Sequence, residues 1–97
     1  MNPPKSRPDG LPASPRVRLL SKPGCHLCED ARTVVAEVCA ELGETFEEVD
    51  ITSGPDSTEL MRLYGEEIPV TFVDGRQHDF WRVDEGRLRR ALADQPA

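Results

Sequence analysis

Cysteine is scarce here: three in 97 residues, an odd number and too few for a disulfide-stapled scaffold. Aromatic residues are as sparse, with three Phe, one Trp and one Tyr, so the core must rest mainly on aliphatic side chains. No run of about 18 apolar residues occurs, which gives no helical membrane span and no membrane partner. Nor does an apolar run of about 7–15 residues open the chain as a secretory leader would. The expected setting is therefore the cytoplasm, where structural disulfides are rare and cysteines serve packing, metal binding or redox chemistry. Positive charge is also in deficit: 12 Lys and Arg stand against 18 Asp and Glu, a net charge of −6. An acidic surface repels a phosphate backbone, so nucleic acid is not an expected partner.

What is present divides into two parts. Residues 1–16 hold five of the nine prolines, with Met1 and Leu11 as their large apolar side chains. Proline fixes φ and removes a backbone donor, and no periodic apolar face occurs here to be buried. This stretch is expected to be a disordered tail, and residues 17–97 a single domain. Lys5, Arg7 and Arg16 against Asp9 give the tail +2, leaving −8 on the domain. A monomer is the expected state for a chain of this size.

Within the domain, residues 17–21 are short and β-capable, and Lys22-Pro23-Gly24 ends them. Leu27, Ala31, Val34, Val35, Val38 and Leu42 then fall on one stripe at period 3.6, closed by Gly43, and predict a long helix. Residues 45–51 read as a second strand, and 56–64 as a short helix stopped by Gly65. Residues 70–73 read as a third strand, Asp74-Gly75 as a hairpin turn and 77–83 as the returning strand. Asp84 caps a last helix whose Leu88, Ala91 and Leu92 face inward, with Val83 and Leu88 spaced as a hydrophobic staple. The order is β-α-β-α-β-β-α. Both strand–helix–strand passages predict parallel pairing, with the hairpin adding an antiparallel edge.

The chemistry concentrates at Cys25-His26-Leu27-Cys28, between the first strand and the first helix. Thiolate is the reactive form of cysteine, and the free N–H groups and positive dipole end of a helix start stabilise it. Cysteines three apart on a first turn can close a disulfide with little movement. Cys25 is thus expected as the exposed attacking thiolate, and Cys28, one turn deeper, as the resolving thiol. Ile68-Pro69 precedes the third strand and is a candidate cis bond, whose loop would present the backbone of Ile68 to a thiol-bearing peptide.

Lys22-Pro-Gly-Cys25-His-Leu-Cys28, Glu66-Glu-Ile-Pro69-Val, Val73-Asp-Gly75 and Asp84, in this spacing, resemble the glutaredoxin-like branch of the thioredoxin superfamily. The resemblance implies an α/β thioredoxin-like fold with a four-stranded mixed sheet and helices on both faces. It also implies a cis-proline at Pro69 and electron exchange through the two cysteines. Lys22 matches the lysine that holds the glutathione carboxylate in glutaredoxins. Two features depart from the typical enzymes: His26-Leu27 replaces Pro-Tyr, and Trp81-Arg82 stands where a Gly-Gly pair is usual.

The expected function is thiol–disulfide oxidoreduction on protein or low-molecular-weight disulfides, with Cys25 and Cys28 catalytic. Lys22, His26, Ile68, Pro69 and Asp84 are the expected substrate-binding residues. No resident cofactor or metal is assigned; glutathione or another small thiol is the candidate electron donor, and a disulfide-bearing protein or small thiol the partner. The alternative is a metal or iron–sulfur carrier using the same two cysteines, although structural zinc calls for four ligands. His26 either tunes the thiolate or stands by. Cys39 lies eleven residues beyond Cys28, about 16 Å along a helix, too far for a disulfide, and reads as a packed side chain. His78 reads as exposed, Trp81 as a strand residue packing on a helix or a platform near the site, and Arg87, Arg89 and Arg90 as solvated.

Overall fold

A computed structural model describes residues 15–93; the expected tail lies outside this range apart from Pro15 and Arg16. The chain runs through β1 (Val17–Ser21), α1 (His26–Leu42), β2 (Phe46–Asp50), α2 (Ser57–Tyr64), β3 (Val70–Val73), β4 (Arg76–Phe80) and α3 (Glu85–Ala93). The strands form one mixed sheet in the order β2-β1-β3-β4. The central strands β1 and β3 are buried along most of their length, while the edge strands β2 and β4 are largely exposed or half-buried. Edge sequences rich in charge, Phe-Glu-Glu-Val-Asp and Arg-Gln-His-Asp-Phe, suit that position because charge discourages pairing with another chain. No described helix is long and apolar enough to cross a membrane.

The first strand–helix–strand passage gives the expected parallel pair, Val17 opposite Phe46 through Ser21 opposite Asp50. The second does not. β3 pairs antiparallel with β1, Val17 opposite Val73 and Leu20 opposite Val70, where a parallel strand was expected. The reason is where the connection ends. β2 finishes beside the C-terminal end of β1, and β3 begins at that same end, so the chain never returns along the sheet. α2, eight residues and about 12 Å long, lies against the other face instead of carrying the chain back. This reversal delivers Ile68-Pro69 to the end of the sheet where Cys25 sits. Asp74 (φ 53°) and Gly75 (φ 82°) then make the β3–β4 turn, both in the left-handed region that two-residue hairpins require.

Two apolar clusters hold the layers together. One joins α1 and α3 to the sheet through Val17, Val35, Val38, Cys39, Val73, Leu88 and Leu92. The other gathers Leu20, Cys28, Ile51, Ile68 and Val70, with Leu60 and Tyr64 of α2 and Phe72 packed against them. The buried stripe of α1 is Cys28, Ala31, Val35, Val38 and Cys39. Leu27 is half-buried and Leu42 is exposed, so the stripe is rotated from the expected one, and cysteines rather than leucines lie at its ends. α2 is more lightly docked: Leu60 and Tyr64 pack against the second cluster, while Met61 and Leu63 are exposed. Arg16 pins the start of β1, reaching Asp74 through two hydrogen bonds of 2.9 Å, Glu44 at 3.1 Å and the carbonyl of Leu92 at 3.0 Å. Its guanidinium holds the Asp74 carboxyl below the usual range.

Candidate functional site

The site is built where β1 hands over to α1. Cys25 occupies the N-cap of α1 with an extended backbone, and its sulfur accepts the N–H of Cys28 at 3.1 Å. A helix start leaves such amides without intrahelical partners, so the sulfur takes the role a serine or aspartate oxygen commonly fills. The same contact and the helix dipole favour a thiolate there. Cys25 is half-buried rather than fully open, and Cys28, one turn in, is wholly buried. The Cα atoms are 5.2 Å apart and the sulfurs lie at disulfide-bonding distance. At the C-terminal end of β1, Ser21 donates to Glu48 at 2.7 Å and Arg32 of α1 closes on the same carboxylate. That guanidinium, more than the serine, lowers the Glu48 pKa.

The proline loop forms the second wall. Ile68-Pro69 is a cis peptide, and Ile68 packs in the same buried cluster as Cys28, with Cys25 against it. The structure thus brings Cys25, Cys28, Ile68 and Pro69 together. Lys22 and His26 are exposed on either side of Cys25 in the chain and join the site by adjacency. Asp84 stands at the start of α3. Its carboxylate accepts the Arg87 N–H at 2.9 Å and caps α3, which holds its pKa down. Among the described residues, no third His, Cys, Asp or Glu joins the pair as a set of metal ligands.

β4 ends at Phe80, three residues earlier than the pattern predicts. Trp81 lies beyond it at φ 65°. It is not a strand residue, and it is half exposed. Its main-chain N–H reaches the Pro69 carbonyl at 2.7 Å and the Glu67 carbonyl at 3.3 Å, and its indole N–H reaches the Glu66 carbonyl at 3.0 Å. With Arg82 and Val83 it faces Leu27, Asp30, Ala31 and Val34 of α1 across a groove of about 170 Å³. A lone tryptophan after the hairpin was the available signal; its left-handed backbone and its three carbonyl partners carry no sequence mark.

The remaining polar residues also depart from a purely solvated surface. The His78 side chain is only 12% exposed, 3.7 Å from the carboxylate of Asp79, rather than open to water. Arg87 pairs with Asp79, and Arg89 with Glu41 and Glu85. Cys39 is buried, 2% exposed, and burial pushes its thiol pKa up, with Glu44 adding to the effect. It is a packing residue.

Residues 16–93 match the family described as Glutaredoxin-like domain (DUF836). The chain belongs to this glutaredoxin-like family. An uncharacterized protein of Mycobacterium tuberculosis is 37% identical over 81 residues, which cover 81% of this chain and 84% of that one. The X-ray structure of the structural-genomics target protein XcR50 from X. campestris is similar at a TM-score of 0.66 and 32% identity, covering 82% of this chain and 99% of the other. Thioredoxin O1 from Arabidopsis thaliana, in its oxidized state, shares the fold, with a TM-score of 0.58 at 21% identity over 82% of this chain and 76% of that chain. The mixed sheet with α1 and α3 on one side and α2 on the other is the thioredoxin-like fold, and this glutaredoxin-like domain keeps both cysteines at its β1–α1 junction.

Proposed function

We propose that this glutaredoxin-like domain is a thiol–disulfide oxidoreductase that reduces disulfides with Cys25 and Cys28. One observation carries the reading: the Cys25 sulfur caps α1 and accepts the Cys28 N–H, while the Cys28 sulfur lies beside it at disulfide-bonding distance. In the reduced pair the helix start favours the first sulfur as the thiolate, and it is the more accessible; the second is buried and in reach of the first. The Cys25 thiolate attacks one sulfur of a substrate disulfide, forming a mixed disulfide and releasing the other substrate sulfur as a thiolate, which takes up a proton. Cys28 then gives up its proton and attacks the Cys25 sulfur. The second substrate thiol leaves and a Cys25–Cys28 disulfide remains, so two electrons pass from the dithiol to the substrate. A small thiol such as glutathione, or a reductase, returns the pair to the dithiol. Lys22 and His26, exposed beside Cys25, and the backbone of Ile68 are the groups this reading assigns to meeting the substrate. A cytoplasmic setting, where disulfide reduction is sustained, suits this chemistry.

Single-cysteine variants test the mechanism. Cys25→Ser is expected to lose protein-disulfide reduction by about a hundredfold or more. Cys28→Ser is expected to form the mixed disulfide but not resolve it, so that a covalent adduct of enzyme and substrate accumulates and appears by mass. Full turnover by Cys28→Ser would contradict the two-cysteine mechanism.

A further inference from the structure

We infer that Trp81 is a positioning and specificity residue, which holds the Ile68 edge for an extended segment of a protein disulfide and closes the neighbouring groove to small disulfides. The inference rests on the oxidoreductase reading and adds a substrate class to it.

The hydrogen bonds of Trp81 are selective. Its two donors engage the carbonyls of Glu66, Glu67 and Pro69, which are the neighbours of Ile68 on both sides. Ile68 itself makes no main-chain hydrogen bond among the described residues. Ile68 is only 7% exposed, its side chain packed in the core, but an unpaired N–H and C=O set between fixed neighbours just before a strand is where an extended peptide can add. Holding that edge still reduces the ordering cost of binding.

Burial does not explain how Trp81 is held. Its φ of 65° is rare for a bulky residue, and the Arg82 N–H closes onto the Phe80 carbonyl at 2.8 Å around it, a three-residue turn of the strained hand. Yet its side chain is half exposed, as is that of Phe80, and the two rings meet edge-to-face at 5.0 Å. Such a pair offers an exposed apolar platform, with the polar end of the indole already satisfied. The groove between Trp81 and Leu27 holds about 170 Å³, well under the ~300 Å³ at which pockets begin to enclose a small ligand. A tripeptide disulfide is therefore not enclosed there, whereas a chain laid across the surface meets both the Ile68 edge and the platform.

The test compares two probes, insulin and oxidised glutathione, each reduced by the full chain with dithiothreitol as the electron source. The wild-type chain is expected to reduce insulin with a kcat/KM at least about tenfold above that for oxidised glutathione. Trp81→Gly, which suits the left-handed backbone and empties the groove wall, should lower kcat/KM for insulin and raise it for oxidised glutathione, each by about tenfold, the scale of a lost or opened pocket contact. Trp81→Phe keeps the ring but loses the indole N–H; it should raise KM for insulin with kcat nearly unchanged. The midpoint potential of the Cys25–Cys28 pair should stay the same in both variants, because Trp81 does not touch the sulfurs. Amide exchange at residue 81, whose N–H is held by the Pro69 and Glu67 carbonyls, should be faster in Trp81→Phe than in wild type and reads the loosened edge whether or not Trp81→Gly folds. Equal losses on both probes, or a wild type that turns over oxidised glutathione as well as insulin, would overturn the specificity claim while leaving the oxidoreductase standing. A wild type whose two thiols never oxidise as a pair would remove the underlying reading as well.

Discussion

His78 shows what a single side chain contributes. Its Nε2 is buried without a hydrogen-bond partner, facing Asp79, with Arg87 and Asp84 close enough to act on it electrostatically. Burial pushes its pKa below 6.5, against the pull of Asp79. The unfolded chain therefore binds a proton near pH 6.5, at a pH where the folded chain still excludes it. Over that interval the unfolded state holds more protons, so stability rises with pH. It is present above about 6.5 and is lost as pH falls through the lower folded-state value. His78→Gln should accordingly lose less thermal stability than the wild type between pH 7.5 and pH 5, measured as the drop in Tm. Equal drops would show that His78 is not the titrating group; the lowered carboxylates Asp50, Asp74 and Asp84 titrate below this window. His78 read as exposed in the sequence because a histidine in a polar run gives no sign of burial. The same holds for Trp81, whose left-handed backbone is set by tertiary hydrogen bonds. Cys25 and Cys28 were legible because their spacing and their place at a strand–helix junction are local.

The elements themselves were legible where local pattern is strong. The central strands are short apolar runs ended by Lys-Pro-Gly and Asp-Gly, and α3 follows from Asp84 as its cap with Leu88 and Leu92 one turn apart. Leu88 is wholly buried against Val17, Val35 and Val38, and it fixes α3 to α1. Leu88→Ala should lower unfolding free energy by about 2–5 kcal/mol, as buried Leu truncations do, visible as a fall in the denaturant midpoint without a change in slope. A loss under about 1 kcal/mol would mean that α3 is not held by this contact. The direction of β3 was not legible. Strand pairing depends on which end of the sheet a connection reaches, and residues 51–69 carry no local mark of it. The rotation of the α1 stripe escaped for a related reason: cysteine packs as a small hydrophobe, yet Cys28 and Cys39 do not stand out beside Leu27 and Leu42 in an apolar periodicity.

At the scale of the molecule, the antiparallel β3 turns a sequence motif into a site. Two cysteines at the head of α1 and a proline loop some forty residues later meet because the chain enters β3 at the end where β1 leaves off. With β3 parallel, Pro69 would lie at the opposite end of the sheet, about 16 Å away for a five-residue strand. The fold and the family were within reach of the sequence, since the spacing of its motifs matched them. The arrangement of Trp81 over the proline loop was not.

The central claim is that Cys25 and Cys28 act as one two-electron pair. A redox titration measures this directly: the chain is equilibrated over a series of thiol/disulfide ratios, denatured, alkylated, and its labels counted by mass. Three labels are expected at the reducing end and one at the oxidising end. The two lost should vanish together at a single midpoint and map to Cys25 and Cys28, with Cys39 labelled throughout. Cysteines 25 and 28 remaining fully labelled across the series, or losing label at separate midpoints, would contradict the account.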